Sequence, residues 1–298
     1  MILERRHFLL ATALLAVGGL LAACGSTSSG ESQSPSSADA VPSVVAKVPA
    51  HYQQRGVLKV ATDASYAPNE YFATDGTTII GMDPDLAKAI AGVMGLRADI
   101  VNASFDSILP GLASGKYDLG ISSFTDTAPR QKIVDFVTYF TAGTAFFEKT
   151  DGGPALSGIS DLCGLKVSVE KGTTQAEDAT AQSNKCTAAG KAPVSVQIFP
   201  DQAAANLAVV SGRADVGMAD SPLAAYQVKQ SNGTLRLVGD LYGAAPYGIA
   251  IPKESGLAPP VLAAVKAIQA DGRYDAILKK WGVADGALAH PSINAATS

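Results

Sequence analysis

The sequence predicts an α/β protein of two similar lobes around a shared cleft, and three observations lead there. A β-rich run ending in a carboxylate, Val57-Leu58-Lys59-Val60-Ala61-Thr62-Asp63, returns as Gly164-Leu165-Lys166-Val167-Ser168-Val169-Glu170, with Asp63 matched by Glu170. A helix end, a glycine turn and a strand, Ala113-Ser114-Gly115-Lys116-Tyr117-Asp118-Leu119-Gly120, return as Val210-Ser211-Gly212-Arg213-Ala214-Asp215-Val216-Gly217. Extending that second register sets Ser123 opposite Asp220. Between these anchors strand and helix patterns alternate, the mark of mostly parallel sheets flanked by helices. Repetition of the whole unit implies two lobes, each offering strand ends to one cleft.

In chain order, Arg5 and Arg6 precede an apolar run from Phe8 to Ala23 that closes on Leu21-Ala22-Ala23-Cys24. The run is short for a membrane span and has the flanks of an export signal. Leu-Ala-Ala-Cys resembles the bacterial lipobox, which makes residues 1–23 a signal peptide and Cys24 the lipidated residue; the paired arginines also resemble a twin-arginine signal. The other reading, a buried N-terminal helix, fails because the next segment cannot pack against it. Residues 24–51 are rich in Ser, Gly, Ala and Pro and read as a flexible tether. The expected lobe boundaries are 52–145 for the first part of lobe 1, 146–243 for lobe 2, 244–284 for the return to lobe 1 and 285–298 for a tail.

Composition narrows the function. The 298 residues carry a net charge of −4, and with no Lys/Arg cluster in the body a nucleic-acid partner is not expected. The histidines are His7, His51 and His290, so none falls in the body between them. That removes Ser-His-Asp and Cys-His catalysis and every histidine-based metal site from the expected core. No catalytic residue, metal or cofactor is expected. Beyond Cys24 only Cys163 and Cys186 remain. In an exported chain a disulfide between them is the natural expectation, worth about 3 kcal/mol in the chain-entropy model. The alternative is a pair of reactive thiols, with Lys185 the only basic neighbour in sequence.

Within the lobes, Asp83-Pro84-Asp85-Leu86 opens a helix to about Met94, stopped by Gly95. Ala98 to Val101 reads as a strand, and a helix starts at Phe105 despite Pro110. In lobe 2 a helix follows Gly172-Thr173-Thr174-Gln175, a strand runs from Val194 to Phe199, and Asp201 to Val210 is helical. Ala244 to Ile251 is a strand returning to lobe 1, followed by helices over Pro259 to Ala270 and Tyr274 to Trp281. Two crossings between lobes suit a hinge.

The candidate site lies at the strand ends. Ser122-Ser123-Phe124-Thr125-Asp126-Thr127-Ala128-Pro129-Arg130 gathers hydroxyls and an arginine where a buried strand meets a helix start, a seat for a carboxylate that Arg130 grips with two parallel bonds. Asp220 in the other lobe suits an ammonium, and Thr173, Thr174 and the N–H groups after Gly172 add donors. A carboxylate and an ammonium held close together describe an α-amino acid. Tyr66 and Phe105 offer aromatic faces for its side chain, while Asp63 and Glu170 lie deeper as acceptors. The structural reading of each is open beside this: Tyr66 and Phe105 as core, Asp220 as a helix cap, Asp63 as a turn residue.

These residues, with Asp63-Ala64-Ser65-Tyr66-Ala67-Pro68, Gly81-Met82-Asp83-Pro84-Asp85-Leu86-Ala87, Ser104-Phe105-Asp106, Val134-Asp135-Phe136 and Asp220-Ser221-Pro222, resemble the family 3 extracellular solute-binding proteins that feed polar amino acids to ABC importers. The likeness covers about residues 55 to 284. It implies the type II periplasmic-binding-protein-like fold with two hinge crossings, a membrane permease as partner, a monomer, and a protein lipid-anchored to the outer face of the bacterial cytoplasmic membrane. It implies that Arg130, Ser123, Thr125 and Thr174 clamp the ligand carboxylate, Asp220 and the Ser123 region the ammonium, and that Asp63 and Glu170 help choose a side chain, basic or amide. The chain departs from the family pattern at Asn69, where an aromatic residue is usual. Two other functions stay in view: a cyclohexadienyl (prephenate or arogenate) dehydratase on the same scaffold, for which Gln175 has no proton to give and Glu170 does, and an amino-acid-sensing module.

Overall fold

The computed structural model describes residues 39–296; the predicted signal peptide and Cys24 lie outside the described residues. The chain begins with two short helices, α1 (Pro42–Val45) and α2 (Ala50–Arg55), then builds lobe 1 from β1 (Val57–Thr62), β2 (Ser65–Tyr66), β3 (Glu70–Phe72), β4 (Ile79–Ile80), α3 (Met82–Val93), β5 (Arg97–Asn102), α4 (Phe105–Ala113), β6 (Leu119–Gly120) and α5 (Ala128–Gln131). Strand β7 (Val134–Lys149) carries the chain into lobe 2, which comprises β8 (Lys166–Glu170), α6 (Thr174–Ala188), β9 (Ser195–Phe199), α7 (Gln202–Val210), β10 (Val216–Asp220) and α8 (Ser221–Gln230). Strand β11 (Leu235–Pro252) returns to lobe 1, where α9 (Ala258–Ala270) and α10 (Arg273–Trp281) finish the helices.

The main sheet has the order β5-β1-β6-β11-β7-β10-β8-β9. β1 runs parallel to β5 and β6 in one lobe, and β8 parallel to β9 and β10 in the other. The antiparallel pair β7–β11 joins the two halves and breaks register at Val238/Tyr242, Tyr242/Ala245 and Tyr247/Gly248. The two hinge crossings are therefore long strands with bulges in them, which bend a ladder locally without cutting it. The return strand is longer than the expected Ala244–Ile251, and the small antiparallel sheet β2–β3–β4, built from runs of two or three residues, has no sequence counterpart.

Apolar side chains fill both faces of each half sheet. In lobe 1, Leu58, Val60, Leu86, Ile90, Val137, Tyr139 and Val261 form one cluster, and Phe105, Ile108, Leu112, Phe124 and Phe136 another. In lobe 2, Phe146, Val167, Val169, Val216 and Met218 pack on one face, and Phe147, Val209, Ala219 and Leu223 on the other. Gly217 is required there: a Cβ would stand 2.2 Å from the Phe147 ring. The Cys163–Cys186 disulfide is present, with the Cα atoms 5.6 Å apart. It ties the last turn of α6 to the segment before β8.

Two expectations at the ends are corrected. The flexible tether to residue 51 and a start near Tyr52 do not hold, because the fold reaches back to the region of Val41. Val41 N–H donates to Val93 O at 3.0 Å, and Val44 and Val48, 4% and 3% exposed, belong to the lobe 1 core. The Ser/Pro/Ala composition hid three well-spaced valines. The tail also packs: Thr138 N–H donates to Ser292 O at 2.9 Å and Asn294 N–H to Phe136 O at 2.9 Å, so it lies along β7. Beginning the chain at Tyr52 rather than Asp39 removes two buried valines, each worth about 1.5–3 kcal/mol. At about 2–4 °C per kcal/mol, the shorter chain is expected to melt at least about 5 °C lower in a thermal scan.

Candidate functional site

The repeated strands deliver their last residues to one place. Asp63 follows β1, Glu170 ends β8, Ser122 and Ser123 follow β6, and Asp220 ends β10. A narrow pocket between the lobes is lined by all of these and by Tyr66, Phe105, Thr125, Arg130, Thr173 and Thr174, the full set of side chains predicted to bind ligand. Two further residues line it that the sequence reading did not include, Glu70 and Gln175.

Arg130 stands in the one-turn helix α5, whose start is capped by the Thr127 hydroxyl. Its Nη1 donates to Thr125 O at 2.9 Å and its Nη2 to Gly172 O, across the cleft, at 2.9 Å. The guanidinium lies over Phe105 and Phe124, 5.4 and 5.7 Å from the ring centroids. Of the five N–H donors of a guanidinium, the remainder are unused on an orientation fixed by stacking. Gly172 has φ +81° and a Cβ there would stand 3.0 Å from Asp106, so glycine lets the lobes meet at this point.

Asp220 is buried and accepts from Gln175 Nε2 at 2.8 Å and from Tyr247 O–H at 2.7 Å. Its backbone N–H donates to Tyr66 Oη, from the other lobe, at 2.9 Å. A carboxylate has about four acceptor positions, so room for an ammonium is left. Burial raises the Asp220 carboxyl, while its hydrogen bonds and Arg130 oppose the rise. Gln175 also donates to Thr144 Oγ1 at 2.9 Å. Its place in the first turn of a helix that faces the cleft was the available clue to it.

The wall in lobe 1 is a polar lattice. Ser122 Oγ accepts from Asp63 N–H at 2.9 Å and donates to Glu70 Oε1 at 3.2 Å. Ser123, at φ 51°, turns its N–H to Asp83 Oδ2 at 2.9 Å, a left-handed conformation that costs a serine about 1 kcal/mol. Asn69, the departure from the family pattern, lies behind this wall and donates to Ser123 Oγ at 2.9 Å. Asp63 Oδ2 accepts from Phe105 N–H at 2.8 Å. The pocket-lining carboxyls of Asp63, Glu70, Glu170 and Asp220 thus outnumber its one cation, Arg130.

Other bonds span the cleft and hold the lobes closed. Gln202 N–H donates to Ser65 Oγ at 3.1 Å, and Lys171 Nζ meets Asp106 Oδ2 at 2.7 Å.

Residues 58–284 match the model of the bacterial extracellular solute-binding proteins, family 3. The chain belongs to that family. It is similar to the arginine-binding protein ArgT of Corynebacterium glutamicum, 37% identical over 257 residues covering 86% of this chain and 84% of that one. It is also similar to the ABC transporter glutamine-binding protein GlnH of Bacillus subtilis, 32% identical over 273 residues covering 88% and 92%. Among solved structures it resembles an ancestral arginine-binding protein bound to arginine, at TM-score 0.70 and 36% identity over 76% of this chain and 98% of that one. An ancestral amino acid-binding protein that is a precursor of cyclohexadienyl dehydratase matches at TM-score 0.70 and 36% identity, over 78% and 97%. For this solute-binding protein the α/β type II fold with two hinge strands is the family's own.

At its pocket wall, Glu70 and, behind it, Asp83 form a buried acidic pair, with Tyr139 O–H donating to Asp83 at 2.8 Å. Burial and mutual repulsion raise Glu70 well above the carboxylate range, and burial raises Asp83 to about 6. Carboxyls of the unfolded chain titrate near pH 4, so the folded protein holds more protons between about pH 4 and 6. The stability from this pair is full below about pH 4 and is lost as pH rises, through about 6 for Asp83 and further on for the more strongly raised Glu70. Urea unfolding across that range is expected to show a steeper fall for the parent chain than for Glu70→Gln, which removes the ionisable group from the pair.

Proposed function

We propose that this solute-binding protein is the capture component of an ABC importer, anchored to the membrane by a lipid on Cys24 and acting as a monomer. It takes up a basic or amide L-amino acid between its lobes and presents the closed form to a membrane permease. The observation that carries this reading is the pairing, in one pocket, of a stacked guanidinium with free N–H groups and a buried carboxylate with free lone pairs. That is the complement of an α-amino acid backbone: Arg130, helped by Ser123, Thr125, Thr173 and Thr174, takes the carboxylate, and Asp220 the ammonium. Tyr66 and Phe105 flank the side chain, and Asp63 and Glu170 face its far end. The excess of carboxyls favours a cationic or hydrogen-bond-donating tip, in agreement with the arginine- and glutamine-binding relatives.

Catalysis is not part of this proposal. A dehydratase is the second reading, favoured by the buried acid Glu170 in the pocket and by the ancestral precursor among its structural neighbours. Gln175, engaged with Thr144 and Asp220, has no proton to donate. Turnover of prephenate or arogenate by the purified chain decides for the enzyme.

Protein refolded to strip carried-over ligand is expected to gain thermal stability with arginine, lysine, ornithine, histidine or glutamine, since a ligand of the native state alone stabilises it. Removing one partner of a desolvated charge pair costs about 2–5 kcal/mol, so Arg130→Ala and Asp220→Asn are each expected to weaken binding at least about 30-fold without unfolding the chain. Unchanged affinity in either displaces the ligand from this pocket. Small-angle scattering is expected to show the ligand-bound form more compact than the stripped one.

A further inference from the structure

Each pocket carboxyl except that of Glu170 accepts at least one hydrogen bond. Glu70 accepts from Ser122 and Ser123, Asp63 from Phe105 N–H, and Asp220 from Gln175 and Tyr247. Glu170 is 2% exposed, and its Oε1 has no hydrogen-bond partner. The Thr173 hydroxyl beside it bonds to the Glu170 backbone carbonyl at 2.7 Å, not to the carboxyl. An unsatisfied buried oxygen is costly, and a donor entering the pocket beside it relieves that cost.

The groups facing Glu170 are anionic: Asp63 after β1, Asp106 on α4, Asp201 at the start of α7 and Asp220 at the end of β10. The nearby cations are committed elsewhere. Lys171 pairs with Asp106 at 2.7 Å, and Arg130 holds the Thr125 and Gly172 carbonyls while its free edge serves the ligand carboxylate. Burial and the four neighbouring carboxylates raise the Glu170 carboxyl well above its ordinary range, which favours its protonated form while the pocket is empty.

Resting on the amino-acid reading above, we propose that Glu170 reads the charge at the tip of the ligand side chain. A guanidinium or ammonium tip binds with transfer of the Glu170 proton to bulk water while the cleft is open, leaving an ion pair in the closed form. A neutral amide or ureido tip binds with the carboxyl intact, its O–H donating to the ligand carbonyl. One pocket thereby serves two side-chain classes, and pH sets the balance: affinity for the cation falls up to about tenfold per unit as pH falls, while affinity for the neutral tip does not.

Arginine and citrulline, alike in shape and different in charge, test this by titration calorimetry in phosphate and in Tris at one pH, which counts protons released. Arginine is expected to release close to one proton and citrulline none. Glu170→Gln is expected to abolish the release and weaken arginine at least about tenfold, with citrulline binding retained as the sign of an intact fold. Equal proton counts for the two ligands in the parent chain overturn the proposal, whether or not the variant folds. So does release that persists in Glu170→Gln and disappears in Glu70→Gln. Binding of neither ligand to the folded chain overturns this proposal; if lysine, ornithine, histidine and glutamine also leave it unstabilised, the amino-acid reading has failed with it.

Discussion

The pairing of β7 with β11 is the constraint on which the rest depends. Both strands run through both lobes, so the ladder that holds each lobe together also joins it to the other. Their bulges fall where the chain crosses, and the residues beside the bulges enter the site. Tyr247, next to one break, donates to Asp220, and Thr144, opposite another, accepts from Gln175. Motion at the crossing is therefore coupled by hydrogen bonds to the carboxylate expected to hold the ligand ammonium.

How much was legible in the sequence follows from which features leave a local mark. The strand-end positions were visible because the fold repeats: Asp63 and Glu170, Ser123 and Asp220 occupy matching places in two copies of one unit. Arg130 was visible because Pro129 and the Thr127 cap announce a helix start after a buried strand. The hinge strand β7 was not, since Val134–Lys149 has neither a strict alternation nor a turn signal to show that the boundary expected at residue 145 lies inside one unbroken strand. The expected tether was misjudged for a related reason: Val41, Val44 and Val48 are too few to show a period, and they bury only because α3 and α9 offer them a surface.

Glu70 and Gln175 were missed on different grounds. Glu70 lies in a strand of three residues, too short for an alternation to show which side faces the cleft. Gln175 was judged for catalysis alone, as a group without a proton, though an amide can orient a carboxylate by donating to it. Asn69 shows the converse. Its place in the family pattern points to the side-chain pocket, yet it is buried behind the wall, donating to Ser123. The amide holds the hydroxyl of a residue already in a left-handed conformation, so it acts on the Ser123 wall, the part proposed to seat the carboxylate.

Closure in this molecule is poorly supported by the protein alone. The direct bonds between lobes are few, and one of them, Lys171 to Asp106, joins a largely exposed lysine to a partly exposed carboxylate, a kind of pair worth about 0–1 kcal/mol. Against them stands a pocket in which carboxyls on both lobes, Asp63 and Glu70 on one side and Glu170 and Asp220 on the other, are brought together on closing. Burying these carboxyls together without a guest is costly, most of all for Glu70 and Glu170, and a cationic amino acid bound as proposed above would offset that cost. A ligand shifts an equilibrium only by its differential affinity for the two states. On the proposed reading the differential comes from desolvation: the carboxyls whose burial opposes closure on an empty pocket are the groups that a cationic guest satisfies.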